Sequence, residues 1–181
     1  MSSRPLNAAH AAQGTQKLQM TQNKAAWLSL IFALAIAYFH WFPSPVQIAY
    51  DPHEEQCLPD VHLALIVRVK PTRIEHGDLL IWKPSGALSY VDQEYVMKRV
   101  AAIGGDHLIV KNGLVTVNDQ PVTQGMALLD LTKTTPQAFD RDLIVPKGKL
   151  YMVGTHPNSN DSRYWGWLDV SAVAGTGHKI F

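Results

Sequence analysis

The sequence predicts a mainly β domain behind a single N-terminal transmembrane helix. Residues 25–42 carry no formal charge. Beyond them no apolar period longer than two helical turns is evident. Instead, short β-branched runs alternate with Gly, Pro and Asn turn signals as far as the C-terminus.

The bulk numbers narrow the function classes. A chain of 181 residues is enough for one domain plus an appendage. A formal charge of +1 gives no electrostatic footprint for nucleic acid. The single cysteine, Cys57, excludes an intramolecular disulfide and leaves either an inert or a reactive thiol. Eight histidines are scattered without an HExxH or Cys/His ligand spacing, so no metal and no cofactor are expected.

Taken in order, residues 1–24 are polar, with Arg4, Lys17 and Lys24 and no acidic side chain, and read as a basic tail. Residues 25–42 form the predicted anchor. At about 1.5 Å per residue they just cross a thin hydrocarbon core. Trp27, Tyr38 and Trp41 stand where interfacial aromatics belong. Positive charge precedes the span, whereas Asp51, Glu54 and Glu55 follow it. The tail is therefore expected in the cytoplasm and residues 43–181 outside, across a bacterial inner membrane in the periplasm. A cleaved signal peptide is the competing reading. The long polar lead and the lack of a small-x-small site before Pro43 weigh against it.

Pro43 and Pro45 end the helix. Strands are expected around Val46–Ala49, Val61–Val69, Leu79–Trp82 and residues 95–103. A hairpin should join His107–Val110 to Leu114–Val117 through a type I′ turn at Asn112-Gly113. Residues 119–142 have weak periodicity and look like an exposed excursion. Further strands are expected at Leu143–Val145, at Leu150–Val153 and near the C-terminus. The strand from Val61 is expected to accept an extended substrate by strand addition.

Lys98 stands inside an apolar, strand-like run that closes in Gly104-Gly105-Asp106. Lysine is a poor strand residue and is seldom buried without reason. Burial favours the neutral amine, which is a base, and so one half of a nucleophile–lysine dyad. On its own the run reads first as a lysine whose stem packs on the sheet while its head reaches water. Cys57 alone is ordinarily a small buried hydrophobe, and Ser159 alone an ordinary turn serine.

Together, three separated pieces change those readings: Cys57-Leu58-Pro59 after the span, Tyr95-Val96-Met97-Lys98-Arg99-Val100 in mid-chain, and Ser159-Asn160-Asp161-Ser162-Arg163-Tyr164-Trp165-Gly166 near the end. With Gly77-Asp78-Leu79-Leu80-Ile81-Trp82, they resemble the type I signal peptidase (S26) family. The resemblance is strongest to its TraF-like conjugative-transfer branch, which processes pilins, and it runs over roughly residues 25–181. It implies a signal-peptidase-like antiparallel β-sheet catalytic domain. Lys98 aligns with the general base and Ser159 with the serine that orients it. Asp161 and Arg163 align with an ion pair that braces the site, although in the conjugative branch the aspartate has also been considered catalytic. Cys57 falls where the family has its nucleophilic serine. Glu55 replaces a hydroxyl that some members use for the oxyanion, which leaves the Cys57 backbone N–H as the expected donor. The opening of the last box is altered to Gly154-Thr155-His156-Pro157.

A cysteine makes chemical sense there, because a thiol with a reference pKa of about 8.5 needs less help than a hydroxyl. Its acyl intermediate is a thioester, open to water or to an amine. The resemblance thus implies a membrane endopeptidase with a Cys57–Lys98 dyad. Its expected substrate is an exported propilin, and type IV secretion components are expected partners. Hydrolysis and circularisation of the product are both open. Two alternatives stand beside it: a general type I signal peptidase, and a degenerate pilin-assembly factor.

Overall fold

The computed structural model describes residues 24–38, 44–51, 57–129 and 133–181. The chain divides into two units, Met1–Ser44 and Pro45–Phe181. The first contains helix α1, residues 24–38, with exposed side chains throughout. Among the described residues no helix is long and apolar enough to cross a membrane. At 1.5 Å per residue α1 is about 22 Å long, against about 30 Å for a hydrocarbon core. It is thus shorter than the predicted span of residues 25–42, whose last four residues, 39–42, lie outside the described part, as does the tail up to residue 23.

The second unit is mainly β and antiparallel, as expected. A seven-stranded sheet has the order β1-β2-β11-β3-β4-β9-β10. Its strands are β1 Val46–Tyr50, β2 Leu63–Val67, β3 Leu79–Trp82, β4 Val96–Ile103, β9 Lys149–Val153, β10 Leu168–Asp169 and β11 Val173–Lys179. A four-stranded sheet, β7-β6-β5-β8, comprises β5 His107–Lys111, β6 Leu114–Val117, β7 Gln120–Gln124 and β8 Arg141–Ile144. One four-residue helix, α2, covers Ser162–Trp165.

Local signals explain most of these elements. The β5–β6 hairpin turns at Asn112 and Gly113, with φ of 49° and 77°. Positive φ at both central residues is the type I′ requirement, and its backbone twist matches that of the flanking strands. Strand β3 is buried at all four positions and lies between β11 and β4, so it reads as an unbroken apolar run. In β4 the register slips between Val100 and Ala102 against β9. Such an extra residue bends a strand locally.

Two expectations need correction. The strand expected from Val61 is β2, which starts at Leu63 and is paired on both edges, by β1 and by β11. No free edge remains for strand addition. Residues 119–142 are more structured than an excursion. They contain β7 and the start of β8, whose register Ile109↔Asp142 and Val110↔Arg141 is set by β5. The apolar core has three parts. One lies around Leu108, Val115 and Tyr151, one around Leu80, Val100 and Met152, and one around Leu58, Val61, Ile66 and Ile81.

Candidate active site

Lys98 lies on β4 opposite Leu80 and is 3% exposed. Its side-chain nitrogen has left water, so it needs a partner in the protein. That partner is Ser159, whose Oγ accepts from Lys98 Nζ at 2.9 Å and which is 1% exposed. The two residues are 61 positions apart and meet because β4 pairs with β9, after which the chain turns back through residues 154–160.

Gly154, at the end of β9, makes this approach feasible. A Cβ placed there would collide with the Oγ and Cβ of Ser159 and would lie 2.5 Å from the carbonyl oxygen of Cys57. The Ser159 hydroxyl and the Cys57 main chain therefore crowd the same side of one glycine. The backbone N–H of His156 donates to the Cys57 carbonyl at 3.3 Å, and that of Ser159 donates to the His156 carbonyl at 3.0 Å. These two bonds tie the Cys57 segment to the Ser159 loop. Cys57 itself is half-buried and unbridged.

Asp161 and Arg163 are both fully buried. Asp161 caps α2 by accepting from the Arg163 N–H at 3.1 Å. Arg163 Nε meets Oδ1 at 2.8 Å and Nη2 meets Oδ2 at 2.6 Å, a two-pronged pair. The N–H of Gly154 also donates to Asp161 Oδ2, at 2.8 Å. Arg163 reaches on to the carbonyls of Gly125 and His156. Burial alone pulls the guanidinium down, but the Asp161 bonds and charge outweigh it and hold Arg163 above its ordinary value. With four donors on its two oxygens, Asp161 is engaged on all sides. That arrangement suits a brace for Gly154 better than work on a reacting bond.

Cys57 and Lys98 both line a groove of about 440 Å³, together with Ile66, Ile81, Tyr90 and Asn160. Asn160 Nδ2 donates to the Tyr90 hydroxyl at 2.7 Å, linking the loop before β4 to the residue between Ser159 and Asp161. Among the described residues, no group of three or more His, Cys, Asp or Glu is placed to hold a metal ion. Cys57, Lys98, Ser159, Asp161 and Arg163 thus fall around Gly154 or the groove, whereas Glu55 lies outside the described residues. Sequence reasoning missed Gly154 itself, which it read only as part of an altered box. A glycine directly after an apolar strand and five residues before a candidate serine was the available signal.

The family model described as "Signal peptidase, peptidase S26" matches residues 20–181. The chain is 31% identical over 109 residues to the "Probable signal peptidase I-1" of Synechocystis, covering 58% of this chain and 52% of that protein. It is 25% identical to the "Thylakoidal processing peptidase 1, chloroplastic" of Arabidopsis thaliana, covering 65% of this chain and 31% of that protein. It is 27% identical to the "Signal peptidase I" of Leptolyngbya laminosa, covering 84% and 74%. The chain thus spans about half and about a third of the length of the first two. A crystal structure of a signal peptidase I from Enterococcus faecalis V583 aligns with a TM-score of 0.38 at 19% identity, covering 58% of this chain and 97% of that one.

Proposed function

The chain belongs to the signal peptidase (peptidase S26) family, and we propose that it is a membrane-bound endopeptidase that cleaves exported preproteins through a Cys57–Lys98 dyad. The observation that carries this reading is the buried Lys98 amine, held by the Ser159 hydroxyl beside the Cys57 main chain. A buried lysine with a neutral hydroxyl as its described partner is well placed to exchange a proton.

The mechanism follows from these groups. The neutral Lys98 amine takes the Cys57 thiol proton, and the sulfur attacks the scissile carbonyl. The carbonyl electrons move to oxygen, where the Cys57 N–H supplies a donor. Collapse re-forms the carbonyl, breaks the C–N bond and leaves a thioester on Cys57. The departing amine receives the proton from the Lys98 ammonium. In the second half, water attacks with Lys98 again as base, and the thiol is released. If the acyl chain's own N-terminal amine attacks instead, the product is circular. Ser159 fixes the amine's direction, and Asp161 with Arg163 braces the turn.

A TraF-like conjugative role with a propilin substrate and type IV secretion partners is the narrower form of this proposal. It rests on Cys57-Leu58-Pro59 resembling the Ser-x-Pro form of the conjugative branch, with cysteine in place of the serine. The names of the relatives favour the broader form, a general signal peptidase.

Incubating the full-length chain with a candidate propilin and weighing the product tests both forms. Cys57→Ala and Lys98→Ala are each expected to lower processing by at least about a hundredfold. A product one water lighter than the linear mature chain is the expected signature of circularisation. Full processing by Cys57→Ala would sink the nucleophile assignment and favour the assembly-factor reading or another nucleophile.

A further inference from the structure

Strand β4 is held from two sides where the dyad lies. Lys98 points to Ser159. The next side chain along a strand leaves from the opposite face, and there Arg99 Nη2 donates to Asp60 Oδ2 at 2.6 Å. Arg99 Nη1 also donates to the Gly77 carbonyl at 3.3 Å, so the guanidinium is fixed at a second point. Lys179 Nζ lies 3.9 Å from the same Asp60 oxygen.

Asp60 sits in the tight turn that leads out of Cys57. The N–H of Val61 donates to the Leu58 carbonyl at 2.9 Å, and Leu58 and Val61 are both buried in one core cluster. The turn is thus nailed down by two apolar side chains and a carboxylate. Among the described residues, the Cys57 segment is tied to the Ser159 side through the main chain by the His156 bond.

We propose that Asp60 is a positioning residue: its ion pair with Arg99 holds the Cys57 turn in register with the strand that carries Lys98. The proposal rests on the dyad reading and deepens it. An ion pair this exposed (27% for Arg99, 45% for Asp60) contributes little to stability. Its effect is geometric, since it joins the residue next to Lys98 to one three positions after Cys57, across 39 positions of sequence. A misplacement of about an ångström is enough to cost a large factor in rate.

Because Cys57 is the only cysteine, alkylation by iodoacetamide reports on its thiol alone and needs no knowledge of the substrate. The full-length chain in mild detergent is alkylated at neutral pH as wild type, Lys98→Ala, Asp60→Asn, Asp60→Glu, Arg99→Gln and the Asp60→Asn/Arg99→Gln double variant. Urea midpoints are measured for each. Lys98→Ala is expected to slow alkylation by more than about tenfold, through loss of the base. Asp60→Asn and Arg99→Gln are each expected to slow it by roughly threefold to tenfold at unchanged urea midpoint, and the double variant no further than either single. Asp60→Glu should recover most of the rate. If Asp60→Asn reacts at the wild-type rate or faster while Lys98→Ala is slow, the dyad stands and the positioning role of Asp60 is overturned. If Lys98→Ala reacts like wild type, the dyad reading falls and takes the positioning role with it. A drop in urea midpoint that tracks the rate across the Asp60 variants would assign Asp60 to stability alone and likewise overturn the proposal.

Discussion

The residue that most constrains this site is Gly154, which has no reactive chemistry. Its N–H is spent on Asp161 and its missing side chain makes room for Ser159 and the Cys57 carbonyl. Gly154→Ala inserts one methyl into that space, and the neighbours that must yield are the Ser159 side chain and the Cys57 backbone oxygen. Overpacking of this kind costs about 1–3 kcal/mol. The cost falls on the Lys98–Ser159 contact and on the Cys57 carbonyl, whose atoms lie nearest to the added methyl. Gly154→Ala is therefore expected to lower the urea midpoint modestly and to reduce processing far more than that loss of folded protein explains. Processing in proportion to the folded fraction would show the contact to be tolerant. Lys98 was legible in the sequence because a charge inside an apolar strand run is conspicuous. Gly154 was not, because its importance comes from atoms that arrive from residues 57 and 159.

At the scale of elements, the β4–β5 connection is held by a single carboxylate. Asp106 closes it by accepting from the Ile103 N–H at 2.7 Å and from Asn118 Nδ2 at 2.8 Å, with His76 Nε2 at 2.7 Å. Burial pushes the Asp106 carboxyl up, but these bonds and the His76 charge prevail and hold it below its ordinary 3.8. A carboxylate depressed in the folded state contributes stability that is fully present above the unfolded value. That contribution is lost as pH falls through the folded value. The window therefore lies below about pH 4. In acid titrations followed by urea unfolding, wild type should lose stability there more steeply than Asp106→Ala. The variant should be weaker by about 1–3 kcal/mol at neutral pH, because its three donors lose their acceptor. The turn itself was readable from Gly104-Gly105-Asp106. The Asn118 and His76 partners were not, since they come from other turns, one between β6 and β7 and one before β3. Strand β7 was missed for a related reason. Gln120-Pro121-Val122-Thr123-Gln124 has no alternation and contains a proline, and it becomes a strand by pairing at the edge beside β6.

For the whole molecule, local strand and turn signals carried the β class, yet the sheet order was beyond them. Strand β11 enters between β2 and β3, a pairing that spans most of the domain and leaves no local trace in either segment. The three boxes were legible in order, and the sheet brings them together. Membrane attachment rests on sequence alone: an uncharged stretch over residues 25–42, basic residues before it and acidic residues after it. Helix α1 accounts for residues 25–38 of that stretch, with Trp27, Phe32 and Tyr38 exposed along it. A helix with such side chains on every face is costly in water and stable in lipid. The full-length chain expressed in bacteria is therefore expected to stay with the membrane pellet through an alkaline carbonate wash. Protease added to spheroplasts should remove residues 43–181 while a tag at residue 1 stays protected. Release by carbonate would replace the span with a peripheral attachment. Protection of the β domain in intact spheroplasts would reverse the orientation and place the proposed dyad on the side of the membrane where exported precursors have not yet crossed.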